Sequence, residues 1–251
     1  MTGDFEVRAV SVRRIAANAS DILLELPDEA KGVSPEPGQF AHISAGSVFL
    51  RRPISIAGFD ADKNRLRIVV RASGAGTAKI AGMAPGESAR TLMPLGNPFP
   101  SVPAESGDIW LVGGGVGVAP LLFAAQRLPG ARSFIGFADE ASSFGVEELR
   151  ARGKVSLSTG GLVTDLVARA LETERPSAIF ACGPAPMLEA MQKICGAQGI
   201  ASFASLEERM GCGVGACLVC SCPAGKRGEK TGYRRVCRDG PVFDLSEVIF
   251  R

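Results

Sequence analysis

The sequence contains a single histidine, His42, among 251 residues. Zinc proteases with two histidine ligands, Rieske iron–sulfur centres and two-histidine iron oxygenases all need more histidines than this chain supplies. Basic runs are also missing, since 28 basic residues balance 26 acidic residues for a formal net charge of +2. Nucleic-acid-binding proteins typically carry a basic patch, so this balance argues against DNA or RNA as a partner.

Long apolar runs are absent as well. No segment approaches the roughly 18 consecutive apolar residues that a membrane-spanning helix requires. The first residues, MTGDFEVRAVSVRRIAANAS, include an early acidic residue and no sustained apolar stretch, unlike a secretory signal or a transit peptide. We therefore expect a cytoplasmic protein in a reducing compartment, where clustered cysteines more often hold a metal than form disulfides.

The secondary-structure signals change along the chain. Residues 5–100 contain short β-type runs separated by Gly, Pro and Asn, a texture typical of a small antiparallel β-barrel. Residues 108–206 alternate strands with helices, which predicts a Rossmann-like α/β domain with a parallel sheet. The remaining residues are cysteine-rich and too few to fold without a metal. The predicted domains are therefore 1–102 (barrel), 103–206 (α/β domain) and 207–251 (metal module).

The strongest motif is the cysteine-rich segment GCGVGACLVCSC at residues 211–222. Its spacing C-x4-C-x2-C, followed by a distant cysteine, is the plant-type [2Fe-2S] arrangement, whereas structural zinc usually draws on two C-x2-C pairs. Small residues between the thiols let backbone N–H groups approach cluster sulfurs. This favours iron–sulfur over zinc and interprets Cys222 as a small buried thiol. The predicted ligands are Cys212, Cys217, Cys220 and Cys237.

Residues 110–122, WLVGGGVGVAPLL, combine a predicted strand, a run of glycines and a predicted helix that begins near Pro120. Exposed N–H groups and the helix dipole at such a turn can hold a pyrophosphate. The motif is not a full G-x-G-x-x-G, because Pro120 stands where the third glycine would be. By itself it fits a structural glycine turn equally well. The candidate binding residues are Gly114, Gly115 and Gly117.

Two further signals lie at the predicted ends of strands in this domain. Asp139 stands where a carboxylate can accept hydrogen bonds from an adenosine ribose and repel a 2′-phosphate, which favours NAD over NADP. It fits a solvated loop acid equally well. Cys182, Gly183 and Pro184 close another strand at the carboxyl edge of the sheet, the edge where such folds bind ligands. By residue type alone, Cys182 would more often be a buried core thiol.

The barrel region carries two candidate phosphate contacts. Arg52 and Ser55 can clamp a phosphate by charge and by hydroxyl, on a strand that we expect not to be central because Pro53 cannot donate to a ladder. Gly76 and Thr77 form a second glycine-rich cradle of similar size. Taken separately, each of these two candidate contacts also fits an ordinary turn with a solvated arginine.

Together, Arg52-Pro53-Ile54-Ser55, Gly76-Thr77, the segment GGGVGVAP and Cys182-Gly183-Pro184 resemble the ferredoxin–NADP reductase superfamily, in which an FAD-binding barrel precedes a nicotinamide domain. The segments MGCGVGACLVC and RRVCRDGPVF narrow the resemblance to the electron-transfer subunits of NAD-linked class 1B dihydroorotate dehydrogenases. The resemblance covers essentially the whole chain. Many flavin reductases have an aromatic residue where this chain has Ile54.

The resemblance implies three cofactor sites. The four predicted cysteine ligands would hold the [2Fe-2S] cluster. The implied FAD-binding residues are Arg52, Pro53, Ile54, Ser55, Val69, Val70, Arg71, Gly76 and Thr77. The implied NAD-binding residues are Gly114, Gly115, Gly117, Asp139, Cys182, Gly183 and Pro184.

The resemblance also implies a function. An FMN-containing catalytic subunit would oxidise dihydroorotate to orotate in pyrimidine biosynthesis, and this chain would pass the electrons through the cluster and FAD to NAD+, in a heterotetramer of two plus two subunits. No side chain of this chain is needed as a catalytic acid or base. Two alternatives stay open: a hydrogenase- or ferredoxin-linked NAD(P)H reductase subunit, and a zinc-stapled nucleotide-binding regulator.

Overall fold

The structure is a computed structural model that describes residues 2–46, 48–101, 108–225 and 232–250. The predicted boundary between residues 102 and 103 lies outside the described residues. Among the described helices, none is both long and apolar enough to cross a membrane.

The N-terminal region is a closed barrel of six antiparallel strands in the order β1-β2-β5-β4-β3-β6. Strand β1 shows how the barrel core is formed. Its residues Phe5, Val7 and Ala9 are buried while the residues between them are exposed, so one face of the strand supplies the core. Closure leaves no open sheet edge. The predicted barrel is confirmed. Its strands are β1 (Gly3–Ala16), β2 (Ala19–Glu25), β3 (Phe40–Ala45), β4 (Val48–Asp60), β5 (Arg65–Arg71) and β6 (Ser88–Leu95).

Strand β4 is central in the barrel, and the expectation drawn from Pro53 was wrong in that respect. β4 pairs with β3 between Val48 and Ser55 and with β5 only from Ile56 onward. Pro53 therefore has a single neighbouring strand at its own position, which is where a proline is tolerated. The strand is internal in the barrel order but locally behaves as an edge.

The second region is a Rossmann-like α/β domain, as predicted. All residues of β7 and β10 are buried, as expected of parallel strands covered on both faces. The parallel strands are β7 (Ile109–Gly114), β8 (Arg132–Phe137), β9 (Val155–Thr159), β10 (Ala178–Cys182) and β11 (Ala201–Ser205). The helices are α2 (Val118–Arg127), α3 (Val146–Arg150), α4 (Val163–Ala170) and α5 (Ala185–Gln198), and the barrel carries α1 (Ala75–Ala81).

The sheet of this domain is not purely parallel. A sixth strand, β14 (Val242–Asp244), pairs antiparallel with β11 and is contributed by the C-terminal segment. Asn97 helps to anchor it, because the Asn97 amide exchanges two hydrogen bonds with the backbone of Val242, at 2.9 and 3.0 Å. Three residues are too few for a periodic signal, so the sequence analysis predicted no strand there. The rest of that segment forms β12 (Ser221–Ala224), β13 (Gly232–Arg235) and the short helix α6 (Val236–Asp239).

Helix α2 begins at Val118, earlier than the predicted Pro120, and so places the proline in its first turn. The missing N–H costs nothing there, because the first N–H groups of a helix have no intrahelical partner. Phe123 of α2 is fully buried in the barrel core, which joins the barrel to the α/β domain. The glycine turn before α2 is thereby held against the barrel.

An ion network also joins these two regions. The Arg67 guanidinium of β5 donates to Asp21 of β2 at 2.8 and 3.1 Å and to Glu148 of α3 at 2.9 and 2.8 Å. Burial lowers the pKa of Arg67, but the hydrogen bonds to both carboxylates outweigh burial and raise that pKa. The arginine therefore stays charged while it bridges the barrel and α3.

We predict that Glu148→Gln lowers the free energy of unfolding by about 1 to 3 kcal/mol, because it leaves a half-buried guanidinium without its second charged partner. Glu147→Gln is the matched control: the Glu147 side chain is 82% exposed and pairs with Arg150 on the surface. Its effect should stay within about 0.5 kcal/mol. Urea unfolding monitored by tryptophan fluorescence measures both, and equal losses in the two variants would contradict the bridge.

Candidate functional site

A cavity of about 410 Å³ lies between the barrel, the glycine turn and the end of β11. Its size is in the range of pockets that hold small molecules and cofactors. Val116 and Ala119 line it from the glycine turn and α2. Six of the predicted FAD-binding residues line it from the barrel: Pro53, Ile54, Ser55, Val69, Arg71 and Thr77.

The cavity exists because β4 and β5 separate. The two strands pair only from Ile56 onward, so residues 53–55 and 69–71 face each other across an opening. Three of the predicted residues, Arg52, Val70 and Gly76, do not line the cavity. The Val70 side chain packs into the barrel core, while its neighbours Val69 and Arg71 line the cavity. This is the ordinary alternation of a strand.

Arg52 lies against the first turn of α1. A Cβ atom at Gly76 would overlap the Arg52 guanidinium, so glycine is what allows the arginine to sit there. Thr77 orders the same turn, because its hydroxyl oxygen accepts hydrogen bonds from the N–H groups of Ser73 and Gly74, both at 3.0 Å. The sequence analysis identified these residues, but it interpreted the segment as a glycine-rich cradle or a turn, whereas Ala75–Ala81 is a short helix.

Arginine side chains in and beside the cavity offer partners for an anion. Among the described residues, no carboxylate forms an ion pair with either Arg52 or Arg71. Arg71 lines the cleft together with Arg209, Glu207 and Glu208, and Arg52 lies next to the lining residue Pro53, against Gly76. Arginines in such a setting are well suited to phosphate.

The segment after β11 was missed as part of this site. Glu207 and Met210 line the cavity beside Leu206, and burial raises the pKa of Glu207 while the nearby Arg71 opposes that shift. The sequence analysis assigned these residues to the metal module. The signal that identifies them is their position directly after the carboxyl end of a parallel strand, the edge where α/β folds bind ligands.

The glycine turn and the end of β10 are in contact. β7 and β10 are parallel neighbours, with Gly113 opposite Cys182. A Cβ atom at Gly117 would overlap the carbonyl group of Cys182, and one at Gly114 would lie 3.1 Å from Pro184 Cδ. The structure therefore brings together Gly114, Gly115, Gly117, Cys182, Gly183 and Pro184.

The Cys182 thiol is buried, and burial raises its pKa far above the ordinary range. This environment fits the core-thiol interpretation of its side chain. Asp139 lies at the end of β8 with its side chain exposed, and its Oδ1 accepts a hydrogen bond from the Ser142 N–H at 2.8 Å. It does not line the cavity. Its contact with a ribose remains a prediction.

The four predicted cysteine ligands form two pairs. Cys212 and Cys217 are linked by backbone hydrogen bonds in both directions, each N–H donating to the other residue's Sγ at 3.4 Å. Cys220 Sγ lies 3.2 Å from Cys237 Sγ and accepts from the Cys237 N–H at 3.4 Å. Within the described residues, no three potential metal ligands surround a single point.

The arrangement of the thiols in two pairs distinguishes a [2Fe-2S] cluster from a structural zinc ion. Each iron of a [2Fe-2S] cluster takes two cysteine thiolates, whereas a structural zinc ion needs four donors around one centre. Two pairs therefore fit the two-iron cluster better than zinc. Cys222 belongs to neither pair; it is buried in the core, and burial raises the pKa of its thiol to about 11.

The loop around Cys212 is shaped to stabilise a thiolate. Its Sγ accepts hydrogen bonds from the N–H groups of Val214 at 3.4 Å and Ala216 at 3.3 Å, in addition to that of Cys217. Gly213 and Gly215 adopt φ of +73° and +83°, the left-handed region that turns the chain around the sulfur. Burial opposes ionisation, but the N–H donors outweigh it and lower the pKa of Cys212 to about 6.

Residues 211–220, which carry Cys212, Cys217 and Cys220 and are called the thiol loop below, are neighbours of the cavity. Met210 lines the cavity and precedes Cys212 by only two positions. The core that contains Cys220 and Cys237 also contains Met210 and Phe40, and Phe40 is itself a cavity residue of the barrel. One packed core therefore holds both candidate sites.

Comparisons with known proteins agree with this arrangement. Residues 207–249 match the family model described as the iron-sulfur cluster binding domain of dihydroorotate dehydrogenase B. The chain of a solved NADH-dependent reduced ferredoxin-NADP oxidoreductase superposes with a TM-score of 0.85 at 25% identity, covering 97% of this chain and 89% of the other. Phthalate dioxygenase reductase shares the fold, with a TM-score of 0.66, 18% identity and coverage of 94% and 78%.

Two curated relatives are similar over nearly their whole length. The protein from Shouchella clausii is 39% identical over 96% of both chains, and that from Geobacillus kaustophilus is 39% identical over 99% of this chain and all of its own. Both are named dihydroorotate dehydrogenase B (NAD(+)), electron transfer subunit. The two thiol pairs and the cavity agree with this similarity. It shows that the chain belongs to the family of dihydroorotate dehydrogenase B electron transfer subunits.

Proposed function

We propose that this chain is the cytoplasmic subunit that passes electrons from an FMN-containing dihydroorotate dehydrogenase subunit to NAD+ in pyrimidine biosynthesis, using a [2Fe-2S] cluster and FAD. The observation that carries the proposal is the shared core, in which Phe40 and Met210 line the cavity and Cys220 and Cys237 form one thiol pair. Two cofactor sites are thus built against each other. The family relationship supplies the substrate of the partner.

FAD would occupy the cavity between β4 and β5. Arg52, held on the first turn of α1, and Arg71 supply positive charge for its phosphates. Ser55 and Thr77 line the same cavity and add hydroxyl groups. Bound there, FAD supplies the chemistry that connects the paired electrons of nicotinamide with the single electrons of an iron–sulfur cluster.

NAD would bind along the carboxyl edge of the α/β sheet. The glycine turn offers backbone N–H groups at the start of α2 for a pyrophosphate, and Asp139 offers a carboxylate for the adenosine ribose. The turn also contributes Val116 to the cavity wall, so a dinucleotide held at the turn would lie beside the proposed FAD cavity. Gly114 and Gly117 let the turn pack directly against the end of β10.

The partner would dock on the thiol loop. Val214, Leu218 and Val219 are 49%, 61% and 57% exposed, and all three lie between or beside cysteine ligands. Clustered exposed apolar side chains mark interaction sites more often than free surface. A partner covering them brings its own cofactor close to the four thiols, and two copies of each subunit would complete a heterotetramer.

The second candidate is a subunit that exchanges electrons with ferredoxin. Its support is the high TM-score to a protein whose name includes reduced ferredoxin-NADP oxidoreductase. The higher identity of the dihydroorotate dehydrogenase relatives favours the first candidate. The pairing of the thiols argues against the zinc-stapled regulator.

We predict that Cys217→Ser abolishes cluster incorporation while FAD stays bound, because one iron loses a thiolate and the flavin cavity does not contain this residue. Iron analysis and the visible absorption spectrum measure both cofactors in the same sample. Cys222→Ala is the matched control and should retain two irons per chain, since Cys222 belongs to neither thiol pair. Unchanged iron in the Cys217 variant would refute its assignment as a ligand.

Arg52→Ala should weaken FAD binding about 10- to 100-fold, because a charge-assisted hydrogen bond to phosphate contributes about 1.5 to 3 kcal/mol. Calorimetric titration of the apoflavin protein with FAD measures the change. The neighbouring Arg51 is the control, since its guanidinium already pairs with Asp4 at 2.8 and 2.9 Å. Arg51→Ala should leave FAD affinity nearly unchanged, and an equal loss in both variants would argue against a specific phosphate contact.

Mixing experiments test the function itself. With an FMN-containing dihydroorotate dehydrogenase subunit, the holoprotein should convert dihydroorotate and NAD+ into orotate and NADH, whereas the chain alone should oxidise no dihydroorotate. Leu218→Asp should slow this coupled reaction at least tenfold, because a charge would be buried at the docking surface. The same variant should reduce ferricyanide with NADH at the normal rate. Dihydroorotate oxidation by the isolated chain would overturn the proposed division of labour.

A further inference from the structure

The single histidine of the chain is buried without a hydrogen bond. His42 is 1% exposed, and neither ring nitrogen has a hydrogen-bond partner among the described residues. An unsatisfied buried polar group costs about 1 to 3 kcal/mol, and buried polar atoms without a partner are rare in native proteins. The position therefore calls for a specific acceptor.

His42 stands between the two candidate cofactor sites. It lies on β3, where Ala41 and Ile43 point into the barrel core, so the His42 side chain points outward. On the same strand pair it is opposite Pro53, a residue of the cavity wall. The barrel strand that carries the flavin site thus presents its histidine to the C-terminal segment.

The thiol loop rests directly on this ring. A Cβ atom at Gly213 would lie 2.5 Å from His42 Nδ1, so only glycine allows the loop to approach so closely. Gly213 is the residue next to the cluster ligand Cys212, and it also has the positive φ that turns the loop. The imidazole is therefore packed under the first ligand of the metal centre.

The ring can donate a hydrogen bond whatever its protonation state. The backbone of Arg51 and of Cys212 lies close to the ring without forming a hydrogen bond of normal geometry to either nitrogen. An imidazole carries at least one N–H group as a hydrogen-bond donor. Sulfur atoms of a thiolate-bound cluster are anionic acceptors, and such donors are what iron–sulfur proteins place around them.

We propose that the His42 N–H group donates a hydrogen bond to the sulfur shell of the [2Fe-2S] cluster and thereby raises its reduction potential. The acceptor missing among the polypeptide atoms is then a sulfur of the cluster beside Gly213. Reduction adds negative charge to the cluster, and a nearby N–H stabilises the more negative state. His42 is in this sense a positioning residue that also tunes the electron carrier, and this inference rests on the proposed function.

The test is a redox titration of the purified holoprotein, with the reduced cluster followed by electron paramagnetic resonance. His42→Phe keeps a planar ring without a donor, and His42→Asn keeps an N–H near the Nδ1 position that faces Gly213. The phenylalanine variant should lower the equilibrium constant for one-electron reduction of the cluster about tenfold, which lowers its reduction potential by about 59 mV. The asparagine variant should lie closer to the native protein. Ser133→Ala, a buried polar change on β8 of the α/β domain, should leave the potential unchanged.

Each outcome decides the proposal. A lower potential in His42→Phe than in His42→Asn supports it, and so does loss of iron from His42→Phe alone. Equal shifts in both variants or loss of iron from both would overturn it, because the residue would then act through packing alone. Native potentials in both variants would also overturn it, because His42 would then have no effect on the cluster. A native protein that shows no iron signal would instead contradict the proposed function, so the two failures are distinguishable.

Discussion

Packing of the cysteine-rich segment into the same core as Phe40, a wall residue of the flavin cavity, is the constraint on which the molecule depends. One buried cluster joins the three regions of the fold. It contains Trp110 and Phe134 of the sheet, Phe40 of the barrel, and Cys220 and Cys237 of the C-terminal segment. So short a segment cannot bury enough apolar surface to fold alone. It borrows the core of its neighbours, and the consequence is that its thiols are fixed beside the cavity.

Close approach of backbones is the second requirement, and glycine meets it at particular places. Gly117 lets the nucleotide turn meet the carbonyl group of Cys182, and Gly213 lets the thiol loop rest on His42. A side chain at either position would push apart two elements that must touch. The glycine-rich motifs are therefore contacts between regions of the fold as well as places where N–H groups are exposed to anions.

The sequence predicted the barrel, the α/β domain and the four thiols, because each has a local signal in alternation, in strand–helix order or in cysteine spacing. It did not predict α1 as a helix, since Gly74 stands at its N-cap and Gly76 in its first turn. Strand β14 and the Glu207–Met210 wall of the cavity were also missed. Their roles come from pairing and packing with residues far along the chain, which no short window of sequence contains. The packing of His42 against the thiol loop was missed for the same reason.

The central claim is that this chain holds a [2Fe-2S] cluster and a flavin close enough to exchange single electrons. The most direct measurement is anaerobic reduction of the purified holoprotein by NADH, with rapid freezing and electron paramagnetic resonance. The structure predicts bleaching of the flavin together with the signal of one reduced [2Fe-2S] cluster per chain. Complete bleaching of the flavin with no iron–sulfur signal at any time would contradict it.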